Sequence, residues 1–569
     1  MRRARVAGSL FALVCYVLAA FVITAHAWSD PTRSWPGGPG DPFKFMNFLA
    51  WVPHALATHQ NPFAMRAIDY PRGVNLAWET PVPLAGLVFW PVTAAFGAVA
   101  AYNVSFVAAL ALDGWCTYLW LRLHVRHASA AFVGGLLAEV GPYAAAHSYG
   151  HLNLVWFAPI PLLLIVLERA LAGKTAAWKL GILGGVLATV QLYLAEELLA
   201  IFTLAAVVVV VVAALVQRQA VRARARGVAI AIGSGAAVLA VLAAPMLLYQ
   251  FLGPYRIHGP IQATNVYVTD VTNLVLPTSV TWLHPGGVLG AQPIRWSGNA
   301  AEQTGYLGLP LLALCVFATA RWWREPRVRI AAIAGAVLLL LSFGPRLHIR
   351  GRSTVPLPGE LFSHLPVLDN LLPGRLSLAV GLAAAFLLAI TLDRTLPPRR
   401  SRDVATALLA AAGVAALLPT APLPSSSVRV PRYFSAGEAR ELPAGSVALV
   451  APYVAADSNT LVPMLWQAAA GFRFSMVGGY ALTVDAHGKS VSWLVTPLQQ
   501  AFSRIEIGGV LPAETPALRA TLLAEIEHDG VSVIIVGPMP HADLAVQLVG
   551  WLEDATPRRM QGVDAWNAG

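Results

Sequence analysis

The stretch Ser34-Trp35-Pro36-Gly37-Gly38-Pro39-Gly40-Asp41-Pro42 is a rigid, glycine-rich turn that delivers one carboxylate, Asp41. Phe45, Phe48, Leu49, Val52 and Leu56 follow at the spacing of one helical face. Such a stripe suits a helix lying in a membrane interface. A carboxylate held there can take the proton of a hydroxyl nucleophile. It can equally well cap the following helix, since Asp is a favoured N-cap residue. His54, on the same helical stretch, joins the candidates for contacting a substrate.

Three further sets carry polar chemistry next to apolar runs: His147, His151 and Asn153; Glu196 and Glu197; and Arg375, after Pro373-Gly374. Ionisable groups at membrane depth are costly and therefore mark function by default. Each set has a plainer reading. The histidines can be hydrogen-bonded within a helix hairpin, and Arg375 can be a boundary cation that snorkels. Adjacent glutamates point about 100° apart on a helix, so only one of Glu196 and Glu197 is expected to face a site. That one could bind substrate or a divalent cation. Asp270 and Glu302 bracket the 253–303 loop as weaker candidates. No phosphate-cradling glycine loop, zinc-spaced His/Cys set or nucleophile elbow is present.

The elements that must position these residues are apolar. Of the 569 residues 57% are hydrophobic and 12% charged, against about 25% charged in soluble domains, so much of the surface must face lipid. Spanning a bilayer takes about 20 apolar residues. Candidate spans lie at 6–27, 101–121, 129–146, 152–167, 179–195, 198–216, 228–252, 305–320, 330–345, 376–392 and 404–420. The net charge of +10 invites a nucleic-acid reading, but its placement argues against one. Arg2/Arg3/Arg5, Arg122/Arg126, Arg169/Lys174/Lys179, Arg218/Arg222/Arg224/Arg226, Arg321/Arg324/Arg327/Arg329 and Arg394/Arg399/Arg400/Arg402 hold 20 of the 39 Lys and Arg in short connecting segments. Placing all six in the cytoplasm gives eleven spans, with the N-terminus inside and the C-terminus outside. Leu84–Ala98 is then an interfacial or re-entrant piece. Ala25-x-Ala27 resembles a signal-peptidase site, although the long apolar run before it fits an uncleaved first span better. Cys15, Cys116 and Cys315 fall within apolar stretches and read as small core hydrophobes.

The expected organisation is an all-α polytopic membrane domain over residues 1–421, with a long first extracytoplasmic loop at 28–100, and a small extracytoplasmic α/β domain over 422–569. In that tail Ser446–Val450 and Val531–Val536 read as strands, and Ala517–His528 as a helix started by Thr515-Pro516. Trp466, Phe472, Phe474 and Tyr480 could stack on sugar rings, or could be core aromatics. The chain is expected in a cell inner or plasma membrane as a multi-pass protein.

A single first span, a loop with an early acidic residue and an interfacial helix ending before Asn61-Pro62 resemble the GT-C superfamily. These are integral membrane glycosyltransferases that use polyprenyl-phosphate sugars, among them protein O-mannosyltransferases and lipid A aminoarabinose transferases. The resemblance covers residues 1–420 and implies that Asp41, in Gly40-Asp41-Pro42-Phe43, is the catalytic base. Several members have Asp-Glu here; this chain has Asp-Pro, so the second acid of the pair is absent. Tyr70-Pro71-Arg72-Gly73-Val74-Asn75-Leu76 and Ser148-Tyr149-Gly150-His151-Leu152-Asn153 resemble a poorly characterised bacterial branch.

The resemblance implies transfer of a sugar from a polyprenyl-phosphate donor in the membrane lipid to an extracytoplasmic glycan, lipid or protein acceptor. The substrate-binding set is His54, His147, His151, Asn153, Glu196, Glu197 and Arg375, with a divalent cation as the conceivable cofactor and no nucleic-acid partner. The alternatives are a transporter or flippase of a lipid-linked saccharide and a catalytically silent scaffold of envelope assembly. A transporter would favour paired repeats and short loops on both sides. This chain has no visible repeat and long loops on one side only, which favours the enzyme.

Overall fold

A computed structural model describes residues 2–365, 368–397, 401–454 and 461–568. Arg399 and Arg400, of the last basic segment, lie outside the described residues. The protein is mostly helical and divides into two compact units.

The first unit comprises residues 1–26, 106–244 and 262–424. Its core is built from buried aliphatic and aromatic side chains, among them Leu121, Phe157, Leu198, Leu314, Leu338 and Leu388. Each of the eleven apolar stretches overlaps a helix. Among the described residues six helices are long and apolar enough to cross a membrane: Val6–Ile23, Ala98–Leu121, Ala177–Leu194, Glu196–Val216, Arg218–Leu252 and Pro373–Thr395. Two local departures from the sequence expectation have clear causes. The stretch 129–146 is two helices, Ala128–Val140 and Pro142–His147, broken at Gly141. A proline opens the second, as its fixed φ and missing N–H favour. The basic segment Arg218–Arg226 is no loop; it forms the first turns of one 35-residue helix, Arg218–Leu252. Arginine is a good helix former, and the break falls one residue earlier, at Gln217.

The second unit gathers residues 27–105, 245–261 and 425–569. Its sheet has five strands in the order Arg558–Met560, Val563–Asn567, Val533–Val536, Ser446–Ala451, Phe474–Met476. The last three run parallel, and the C-terminal hairpin adds antiparallel strands. Ser446–Ala451 and Val533–Val536 are buried along their whole lengths, as central parallel strands covered on both faces must be. Leu498, Phe502 and Ile505 on the helix Pro497–Gly508 pack against them, as do Leu522 and Ile526 on Pro516–His528 and Leu548 and Leu552 on Ala542–Glu553. The Pro516 helix starts as its sequence suggests: the Thr515 hydroxyl accepts the Leu518 N–H at 3.2 Å.

The first loop completes this unit. Met476 N–H donates to Ala67 at 2.9 Å and Tyr70 N–H to Met476 at 3.0 Å, extending the sheet past its edge strand. The helix Asp41–Ala57 packs on Val462–Ala469. Between them the buried Asn47 amide donates to the Met464 carbonyl at 2.8 Å and to Gln467 at 3.2 Å. Leu84–Ala98 forms two short helices, Pro83–Val88 and Trp90–Phe96, neither long enough to span a membrane. They leave Leu87, Val88, Trp90 and Phe96 exposed.

Asp69 sits at the point where the first loop joins the sheet. It is 4% exposed, and its Oδ2 has no partner among the described residues. Burial pushes its carboxyl up to about 7, with Arg72 pulling in the opposite direction. The folded unit therefore binds a proton that the unfolded chain releases near pH 4. The contribution of Asp69 to stability is highest below that pH and falls as pH rises toward 7. At Asp69→Asn this loss should vanish: urea melts at a series of pH values should show wild type weakening relative to the variant between pH 4 and 7, by up to about 4 kcal/mol. The cavity of about 210 Å³ beside Asp69 can admit water, which makes that figure an upper limit. Parallel curves for the two proteins would contradict this.

Candidate functional site

Two charged clusters stand out, one in each unit. In the second unit Asp41 is the first residue of its helix, and the N-cap position belongs to Gly40, with φ of 103°. No side chain caps this helix, so the capping role open in the sequence is not the one adopted. The Asp41 carboxylate instead faces the Lys44 ammonium at 3.3 Å and keeps 26% of its side chain exposed. The same ammonium meets Glu79 at 3.1 Å. Burial works against the charge on Lys44, but Asp41 and Glu79 overcome it and hold its pKa well above the ordinary lysine value. Glu79 is anchored in turn by the Leu482 N–H at 2.9 Å, and the Tyr480 ring lies 5.1 Å from the Lys44 ammonium. A second acid is thus present in space, although the sequence lacks one next to Asp41. Lys44 and Glu79 went unrecognised in the sequence: 35 residues separate them, and only a lysine three residues after Asp41 on a helix face hinted at the pair.

His54 is on the same helix, 13 residues beyond Asp41, or about 20 Å along its axis. Its ring packs between Trp51 and Phe472, with centroids at 5.7 and 4.9 Å, and burial lowers its pKa. Trp466 and Phe474 are core residues at 1% and 2% exposure.

In the first unit Arg375 lies in the turn Pro373–Leu376, directly before the helix Ser377–Thr395. Its Nε donates to Glu302 Oε2 at 3.0 Å, its Nη2 to Glu302 Oε1 and its Nη1 to Glu197 Oε2. Such a fork fixes orientation as well as charge. Glu197 lies in the first turn of the helix Glu196–Val216 and reaches Arg375. Glu302 is buried in a short turn capped by Asn299. Burial alone would push its carboxyl up, but Arg375 and the nearby histidines hold it well below the usual carboxylate range.

His147 and His151 bring their Nδ1 atoms within 3.1 Å of each other, and His151 Nδ1 is 3.7 Å from Glu302 Oε1. His147, His151 and Glu302 form a group whose ligand atoms all lie within 4.8 Å of one another. Asn153 is buried in the turn that follows. The structure therefore joins His147, His151, Glu197 and Arg375 around Glu302, ranked low in the sequence. Asp270 does other work: it caps the turn Val271–Leu274 and accepts the N–H groups of Arg350 and Gly351.

A family model described as "Domain of unknown function (DUF6311)" matches residues 11–417. The chain belongs to that family. All the residues of both clusters fall within the DUF6311 match, whereas Tyr480 and Leu482, which close over the Asp41 cluster, lie beyond it. No curated protein matches the sequence significantly. Among solved structures the chain is similar to the arabinofuranosyltransferase AftD from Mycobacteria, with a TM-score of 0.53 and 14% identity over 100% of this chain and 40% of that one. It resembles the R1389S mutant of AftD at a TM-score of 0.57 and 14% identity, over 100% and 42%. The chain thus spans about two fifths of the length of AftD. ArnT from Cupriavidus metallidurans bound to undecaprenyl phosphate is a weaker match, with a TM-score of 0.45 and 12% identity over 98% and 97%. The fold is like that of AftD.

Glu197→Gln removes a charged partner of Arg375. Thermal melts in detergent should show Glu197→Gln destabilised by roughly 1–3 kcal/mol. A melting temperature equal to wild type would contradict the arrangement.

Proposed function

We propose that the chain is a glycosyltransferase that moves a sugar from a polyprenyl-phosphate donor to an extracytoplasmic glycan, lipid or protein acceptor. The observation that carries this reading is the Asp41 carboxylate: partly exposed, not used as a helix cap and fixed by Lys44, on a GT-C fold. The acceptor hydroxyl gives its proton to Asp41 while its oxygen bonds to the anomeric carbon. The bond from that carbon to the phosphate oxygen breaks, and polyprenyl phosphate leaves with the electron pair. Lys44 positions Asp41, and Glu79 offsets the remaining ammonium charge so that the base need not be tightly neutralised.

Tyr480 and Leu482 bring the C-terminal residues to Asp41. This supports an acceptor-shaping role for that part of the chain. The loop charge pattern supports an extracytoplasmic position for it.

Asp41→Asn tests the base. It is nearly isosteric and leaves Lys44 paired with Glu79, so the fold should survive. Turnover in proteoliposomes supplied with a panel of polyprenyl-phosphate sugars should fall by about 10²-fold or more. Turnover near wild type would remove Asp41 from the chemistry.

A further inference from the structure

We propose that His147, His151 and Glu302 form a binding site for a divalent first-row transition ion, with Zn²⁺ the best fit. The local backbone builds half of it. His147 ends the short helix Pro142–His147, and His151 N–H donates to the His147 carbonyl at 2.9 Å, continuing the helical turn. Residues four apart lie on one face, so both imidazoles aim the same way. Their Nδ1 atoms are 3.1 Å apart. Two nitrogens bound to zinc at 2.0–2.1 Å in a tetrahedron are about 3.3 Å apart. Glu302 Oε1, at 3.7 Å from His151 Nδ1, supplies the third corner. Two imidazoles and a carboxylate leave an open position, as catalytic zinc sites do.

The second support is charge. Arg375 carries one positive charge but is shared by Glu302 and Glu197, so with neutral imidazoles the cluster is left with one excess negative charge. A phosphodiester arriving there would add another. A bound divalent cation restores neutrality once the phosphodiester is in place, and its open position can accept a phosphate oxygen. Arg375 then acts on the metal indirectly. Its bidentate hold on Glu302 orients the ligand carboxylate, and an oxygen of that carboxylate has lone pairs enough for both partners. The ion's part in donor binding rests on the transferase reading; the site itself does not.

The full chain in lipid nanodiscs, equilibrated with Zn²⁺ and desalted, should retain one zinc per chain by elemental analysis. Co²⁺ in its place should give the visible ligand-field bands of a four- or five-coordinate site. His151→Gln, at a position whose side chain is 17% exposed, should keep the wild-type melting temperature in chelator and lose at least about 100-fold in zinc affinity. His147→Gln should behave alike in affinity, and if it fails to fold, His151→Gln still decides. Wild type that retains no zinc, or a His151→Gln protein that retains it as tightly, overturns the proposal. These readings use no sugar donor. Zinc bound by a protein inactive on every donor keeps this site and sinks the transferase, and turnover without any bound metal does the reverse.

Discussion

A charge taken out of water must be met by a counter-charge or its burial costs several kcal/mol. Both clusters are solutions to that constraint. Lys44 is buried under Tyr480 and is tolerable only because Asp41 and Glu79 flank it. Arg375 keeps only 12% of its side chain exposed at the head of a membrane-length helix and is tolerable only because Glu302 and Glu197 grip it. In each case the ion pairs draw together segments far apart in sequence: residues 41–44 with 79 and 482, and residue 197 with 302 and 375. Burial of this kind contributes little net stability and much specificity of arrangement. Among the described residues it leaves each cluster with one more carboxylate than cations.

Much of the helical framework was legible because lipid imposes a simple rule, about 20 apolar residues per span. The short signal at Thr515-Pro516 was legible because capping and proline chemistry are local, whereas at Gly40-Asp41-Pro42 the cap position fell to Gly40 and not to Asp41. The partners were not. Nothing near Asp41 announces Glu79, and nothing near Arg375 distinguishes Glu302 from Glu360 or Asp369. His54 shows the converse failure. It lay on the right helix with the right chemistry, but a rigid helix carries it about 20 Å from Asp41, into an aromatic cluster. The H-x₃-H spacing of His147 and His151 was visible, yet it reads as a ligand pair only once a carboxylate 151 residues away is placed beside it.

The tail departs furthest from a reading of sequence segments as separate bodies. Its edge strand donates a backbone hydrogen bond to Ala67 and accepts one from Tyr70, and its helix Val462–Ala469 buries Asn47. An edge strand with open hydrogen-bonding groups is a liability, and the first loop covers it. The same contacts set Tyr480 and Leu482 against the Lys44 network, so residues outside the family match help to shape the cluster within it.

The most direct measurement of the central claim is transfer itself. The full chain in proteoliposomes, given polyprenyl-phosphate sugars labelled in the sugar and envelope fractions as acceptors, should consume at least one donor. Label should pass to an acceptor, and polyprenyl phosphate should be released in equal amount. A protein that consumes none of the donors, yet moves labelled lipid across the bilayer, would contradict the account and establish a transporter on this fold.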